Sequence, residues 1–368
     1  MAGILVHEWL SRTGGSEKVF DAMVEAFPDA DVLALWNDAP DRRYPGRHVR
    51  ETWLARTPLR RSKAAALALM PATWRRQPAV PAEWALVSTH LFAHHVSFAG
   101  QPADFRKYLY VHTPARYIWT PELDRRGNGL LPRTASAALR PLDRRRAHEA
   151  FAVAANSAYV RDRIASTWGV DATVIHPPVD VTEIQAVERW ADTLDPEERR
   201  LLESLPGEYL LGASRFIPYK RLDLVIAAGE AAGLPVVLAG AGPLLDELVA
   251  RGREASVPVH VLEDPSDGLL RALFQEALVY VFPAVEDFGI MPVEAMAAGT
   301  PVLTLDRGGA AESVVDGRTG AHWDGRPGSL RAAVLRAAAC SRGAARDRAQ
   351  DFSREVFTER LHSWMGLR

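Results

Sequence analysis

An α/β fold in two halves is the class this sequence predicts, and three observations carry it. Short apolar runs rich in β-branched residues alternate with amphipathic stretches along the whole chain. The alternation loosens once, in the charged segment from Glu183 to Pro206, and then restarts. With 368 residues, 48% hydrophobic and 24% charged, the chain is long and apolar enough for two cores.

Bulk properties exclude several functions. A formal charge of -2 gives no global pull toward nucleic acid, so any basic surface is local. Cys340 is the single cysteine, which rules out internal disulfides and cysteine-rich zinc sites and fits a reducing cytoplasm. MAGILVHEWL lacks a basic leader region and reads as a first strand. No apolar run approaches the roughly 20 residues that a membrane span requires.

In the first half, Gly3 to Val6 is predicted as a strand, followed by Gly14 and Gly15 ahead of a helix bearing Val19, Phe20, Met23, Val24 and Phe27. The glycine pair allows close approach to a phosphate or simply makes a strand-to-helix turn, with Ser16 a candidate cap. Asp31 to Trp36 is a second strand. Residues 47–76 are dense in arginine interleaved with Trp53, Leu54, Leu59, Leu67, Leu69, Met70 and Trp74. Such a stretch suits one or two amphipathic helices packed on the domain, or a peripheral contact with an anionic bilayer. Trp84 to Ser88 and Lys107 to Val111 are strands, and His112 sits at the carboxyl tip of the latter, where open α/β sheets place ligands. An arginine-rich stretch (Arg140 to Arg146) and a helix or strand around Ala150 to Ala155 complete the half, which ends in VIHPPVD.

The second half opens with a strand from Glu208 to Gly212, leading into ASRFIPYKRLDLVI. Arg215 and Lys220 there form a cation pair suited to a diphosphate, though a solvated surface pair is the commoner outcome. Leu234 to Ala239 is a strand ending in the glycine turn Gly240, Gly242, Pro243, followed by a strand at Val259 to Leu262 and a helix at Leu269 to Ala277. VYVFPAVEDFGIMPVEAMAAG then reads as strand Val279 to Phe282, acidic loop, and a short helix with Pro292 first and Gly299 just past it. Seven residues separate Glu286 in the loop from Glu294 in the first helical turn, a pattern that fits a phosphorylated polyol seated on the helix start. Pro301 to Leu305, Arg307 to Gly309 and Glu312 to Gly320 are expected to finish the sheet, and FSREVFTERLHSW is a terminal helix.

These loops imply a cleft between two Rossmann-like domains. The domains are expected at 1–180, joined by the terminal helix 352–368, and at 207–351, with 181–206 as helix and linker. The motifs RTGGSEKV, YVHTPARYIW, ANSAYVRDRI, VIHPPVD, ASRFIPYKRLDLVI, GAGP and VFPAVEDFGIMPVEAMAAG, in this order, resemble the retaining glycosyltransferases of family 4, which have the GT-B fold. The last motif, combined with the cation segment, is the most specific. Thr120 stands where many relatives carry an acidic residue, and GAG where GDG is frequent.

The resemblance implies a nucleotide-sugar donor, with mannose from GDP-mannose favoured, and a saccharide, glycolipid or natural-product acceptor. It implies sugar hydroxyls on Glu286, the ribose on Glu294, and sugar and phosphate on the backbone of Phe288, Gly289 and Ile290. Arg215 and Lys220 would bind the diphosphate, Gly14 and Gly15 would approach it from the first domain, and His112 would bond the transferred sugar. Transfer would proceed on the front face with no cofactor and no metal, in the cytoplasm or at the inner face of the membrane, with no nucleic-acid partner. Two other readings fit the residues: a sugar-nucleotide-binding scaffold without activity, and a sugar-nucleotide epimerase.

Overall fold

Near-continuous apolar strands predict parallel sheets covered on both faces, and two such sheets are present. The structure, a computed structural model, describes residues 2–12, 14–39, 44, 47, 49–119 and 130–367, without the side chains of 117 and 130–138. Thr120 lies outside the described residues. The chain forms two units, Met1–Pro177 with Phe357–Arg368, and Pro178–Val356.

The first unit has seven strands: β1 Gly3–His7, β2 Asp31–Ala34, β3 Val49–Glu51, β4 Trp84–Thr89, β5 Arg106–Val111, β6 Ala152–Ala155 and β7 Thr173–Val174. They pair in parallel in the order β3-β2-β1-β4-β5-β6-β7. One face packs Val6, Leu35, Trp74, Val87, Val111 and Trp168, and the other packs Leu5, Phe20, Met23, Leu86 and Tyr110. Helix Arg354–Met365 belongs largely to this second layer: Phe357, Leu361 and Met365 are buried there, and the Tyr108 hydroxyl donates to Met365 O at 3.0 Å.

The second unit has six strands: β8 Leu210–Ala213, β9 Val236–Gly240, β10 Val259–Glu263, β11 Val279–Phe282, β12 Val302–Leu305 and β13 Gly320–Trp323. Their order, β10-β9-β8-β11-β12-β13, follows the same rule, with the first strand central and the chain reversing direction across the sheet beside it. The segment after Pro178 is part of this unit. Val181, Ile184, Trp190 and Leu194 enter its core, and Asp195 caps helix Pro196–Glu203 through hydrogen bonds from Glu197 N and Glu198 N at 2.8 and 2.9 Å.

Several local expectations are corrected. Ser16 is not the cap: Gly14 takes that position, the helix runs Gly15–Ala26, and the Ser16 hydroxyl donates to Glu17 at 2.7 Å. The helix expected from Pro292 begins at Ile290, so Glu294 lies in its second turn. Glu312 to Gly320 is no strand; Gly309–Glu312 is a single tight turn and the edge strand is Gly320–Trp323. Within 47–76 there are a three-residue strand and four helical turns of four or five residues, because Thr57, Pro58, Ser62 and Pro71 interrupt any longer helix. Leu54, Ala66, Met70 and Trp74 are buried in the first core, leaving Trp53 and Leu69 as the exposed large apolar groups of that stretch. No helix among the described residues is long and apolar enough to cross a membrane.

Candidate functional site

In open parallel sheets, ligands bind beyond the carboxyl ends of strands where the chain order reverses. In the second unit that point lies between β8 and β11, and the two most specific motifs leave the sheet there. The Tyr280 hydroxyl donates to Ala213 O at 2.8 Å, tying the end of β8 to β11. Burial pushes that hydroxyl's pKa well up, and the nearby Glu286 and Glu294 carboxylates add to the effect.

Beyond β8 the chain makes the tight turn Pro218–Lys220 and enters helix Asp223–Ala232 through Arg221, whose φ of 53° is left-handed. Arg221 grips Asp223 with two N–H groups at 2.9 Å, which stabilises this uncommon conformation. The turn is pinned from β9. Phe216 N donates to Ala241 O at 2.8 Å and Leu244 N to Phe216 O at 3.1 Å. These contacts need Gly240 and Gly242, since a Cβ at either would lie 1.9 Å from Ser214 O or 2.6 Å from Phe216 O. The glycine turn therefore supports the cation loop.

Lys220 and Glu286 are brought together: the ammonium donates to the Glu286 carboxylate, with Lys220 only 9% exposed. The ammonium also lies 5.5 Å from the Phe282 ring centroid. Arg215 is exposed and donates to the Tyr219 hydroxyl at 3.0 Å. Phe288 is buried against Phe352, with ring centroids 5.7 Å apart, and this anchors the acidic loop. Gly289 caps helix Ile290–Ala297 with φ of 94°. The N–H groups of Gly289 and Ile290 have no acceptor among the described residues, as suits a helix start that receives a ligand. Glu294 is half-buried on that helix.

In the first unit the reversal lies between β1 and β4. His112 follows β5, and its Nε2 is 2.8 Å from Ser88 Oγ, which is 3.0 Å from His7 Nδ1. Burial, with His90 and His7 beside it, holds the His112 imidazole well below its ordinary pKa, and so neutral at pH 7. The fully buried Glu8 accepts from Leu91 N and Ala93 N at 2.9 and 2.8 Å, fixing the loop after β4. Gly14 lies close to a carboxylate: a Cβ there would sit 2.1 Å from Glu17 Oε2, and Glu17 is buried. His7, Ser88, His90, Glu8 and Glu17 were missed in the sequence. The position that singled out His112, a polar residue at a strand's carboxyl end, applies equally to the first three.

Among the described residues, His94, His95 and Asp143 form the one group of three side chains placed to share a metal ion. Their nearest atoms, two Nε2 and Asp143 Oδ1, are 3.1 and 3.2 Å apart. Asp143 Oδ2 accepts both the Trp119 and Trp168 indole N–H groups at 2.7 Å. The Lys107 ammonium, 3.1 Å from His94 O, already places a cation beside the cluster. Burial alone would raise the Asp143 carboxyl, but His94 and His95 reverse this and hold it well below the usual range. These contacts make the cluster a polar hub of the core.

Comparison with known proteins follows this division. The family model described as "Glycosyltransferase Family 4" matches residues 13–183, and "Glycosyl transferases group 1" matches 196–355. The chain is 31% identical over 202 residues to a GDP-mannose-dependent alpha-(1-6)-phosphatidylinositol monomannoside mannosyltransferase of Mycolicibacterium smegmatis, covering 50% of this chain and 51% of the relative. It is 34% identical over 195 residues to a D-inositol 3-phosphate glycosyltransferase of Mycobacterium avium, covering 47% and 44%. The chain thus spans about half the length of these curated relatives. Among solved structures, Anabaena HepE in complex with UDP is similar at a TM-score of 0.70 and 17% identity, with 100% of both chains covered. Sucrose-phosphate synthase from Thermosynechococcus elongatus is similar at 0.71 and 17%, covering 99% of this chain and 98% of that one. These two likenesses speak to the fold. Two Rossmann-like parallel sheets give the chain a GT-B fold, and it carries a glycosyltransferase family 4 domain followed by a glycosyl transferases group 1 domain.

Proposed function

We propose that this chain is a retaining hexosyltransferase that moves a sugar, mannose from GDP-mannose in the favoured reading, to a hydroxyl of a saccharide, glycolipid or natural-product acceptor. The observation that carries the reading is the Lys220–Glu286 pair at the strand ends beside the start of helix Ile290–Ala297. It sets a cation for phosphate, a carboxylate for sugar hydroxyls and open backbone N–H groups side by side. The donor preference follows the mycobacterial relatives named for GDP-mannose.

In this mechanism Glu286 orients the sugar, Glu294 holds the ribose, and the backbone of Phe288, Gly289 and Ile290 receives sugar and phosphate. The acceptor attacks from the face the nucleotide leaves, and the departing phosphate takes its proton. Lys220 and Arg215 stabilise the charge that grows on that phosphate, and no divalent cation is assigned a step. Glu17 fills the space beside Gly14 with a carboxylate, so in this reading the phosphate charge falls on Arg215 and Lys220. His112, held neutral, offers a hydrogen bond to the sugar.

A thermal-shift screen of GDP-, UDP-, ADP- and dTDP-sugars tests the donor. A donor at about 100 times its Kd adds roughly 2.7 kcal/mol of stability, a rise in Tm of about 5–10 °C for domains of this size. No shift with any of the four sets refutes donor binding, and a shift with UDP-sugars alone refutes the mannose preference. Product without an acceptor would identify an epimerase, and binding without transfer or hydrolysis a scaffold. Peripheral contact of residues 47–76 with an anionic membrane, at the cytoplasmic face, completes the proposal. It rests on the exposed Arg56, Arg61, Arg76, Trp53 and Leu69.

A further inference from the structure

Three strand ends of the first unit meet at one hydroxyl. β1 ends at His7, β4 carries Ser88 one residue before its end, and His112 follows β5. Ser88 is fully buried, with its Oγ 3.0 Å from His7 Nδ1 and 2.8 Å from His112 Nε2. A serine hydroxyl has one proton. It donates to one ring nitrogen and accepts an N–H from the other, so the two imidazoles cannot choose their tautomers independently. If His112 Nε2 is bare, His7 Nδ1 carries its proton; if His112 Nε2 is protonated, His7 Nδ1 is bare.

The surroundings hold this chain in place. His7 stacks on Phe20 with ring centroids 4.8 Å apart and 20° between planes. His90 packs edge-on against Trp9 at 5.0 Å and against His112 at 6.3 Å. Backbone pairing fixes the strand ends, with His112 N donating to Thr89 O at 2.9 Å. The remaining ring nitrogen of His112, Nδ1, has no hydrogen-bond partner among the described residues and is the atom left for a ligand.

We propose that Ser88 and His7 are positioning residues for His112, holding its ring in one neutral tautomer so that Nδ1 presents a defined donor or acceptor to the sugar. The nature of that ligand rests on the glycosyl-transfer reading above; the hydrogen-bonded chain does not.

Long-range proton–nitrogen NMR of 15N-histidine-labelled protein tests it directly, alongside kinetics. In the unaltered protein the two His112 nitrogens should give the distinct shifts of a single tautomer. Ser88→Ala, which only removes a buried oxygen, should bring them to averaged values. It should also lower kcat about tenfold or more, as a misassigned tautomer does in other enzymes, with KM for the donor within about twofold. His7→Phe keeps the stack on Phe20 and should behave alike. His7→Asn, whose amide lies where Nδ1 was, should restore the single tautomer and most of kcat. Tautomers already averaged in the unaltered protein, or unchanged in Ser88→Ala with a native Tm, would overturn the proposal. If the unaltered protein neither transfers nor hydrolyses any nucleotide sugar, the transfer reading fails and the NMR result alone decides this one.

Discussion

Replacing Lys220 with methionine keeps most of the side chain's length while deleting the charge that lies over the Phe282 ring. Lys220 is 9% exposed and its ammonium is bonded to Glu286, so two effects follow. Glu286 loses its partner, and because the Glu286 side chain retains 19% exposure, water recovers part of that loss. The stability cost is therefore expected at about 1–2 kcal/mol, below the 3–5 of a fully buried broken pair. The second effect falls on the transition state, where one preorganised charge contributes on the order of 3 kcal/mol. At about 1.4 kcal/mol per decade this is a loss of roughly a hundredfold in kcat. Initial-rate assays with saturating donor, beside a thermal melt, separate the two. Glu286→Gln combined with Lys220→Met should recover part of the Tm but none of kcat, because the quenched carboxylate no longer needs the cation whereas the phosphate still does. Turnover of Lys220→Met or Lys220→Ala near that of the unaltered enzyme would refute the role assigned to this cation.

Three further outcomes are expected. Burial, with His94 beside it, lowers the His95 imidazole to about 4, below its ordinary 6.5; the unfolded chain therefore binds more protons between those values, and stability should fall as pH drops through this window, by up to ~1.4 kcal/mol per unit. His95→Gln should flatten that slope in pH-dependent urea melts, while the depressed Asp143 carboxyl adds a further loss below its ordinary 3.8. Gly309→Ala would place a Cβ 2.0 Å from Asp287 O, and the displaced acidic loop should cost about 1–3 kcal/mol and weaken donor binding, both readable by a thermal melt with and without donor. Arg56, Arg61 and Arg76 are exposed, so changing all three to glutamate should abolish binding to anionic vesicles at low salt without lowering Tm; unchanged sedimentation with vesicles would remove the membrane contact.

The parallel strands were legible because fully covered strands are apolar throughout: VYVF is β11 in full, and Trp84 to Ser88 extended by one residue is β4. The cation loop and acidic loop were legible because proline, glycine and charge punctuate the ends of those strands. Boundaries set by tertiary contacts were not. Ile290 and Met291 precede Pro292 in the helix because Gly289 starts it, with a φ that no sequence pattern states. The arginine-rich stretch showed its charge plainly, yet which of its apolar groups face the core depends on β3 and its neighbours. Ser88 was hidden for a different reason: serine in a strand carries no signal until the histidines on either side of it are known.

Helix Arg354–Met365 closes a core whose other members all precede Pro178. A ribosome adding about 5–20 residues per second emits Phe357 roughly 10–40 s after Pro177. Throughout that interval the nascent first half carries an uncovered apolar strip, including Tyr108 and Phe27, that helix Arg354–Met365 later covers. Birth order and folding order are thereby separated: the second unit can finish before the first. Deleting Phe357 to Met365 would strip that cover from the opening half.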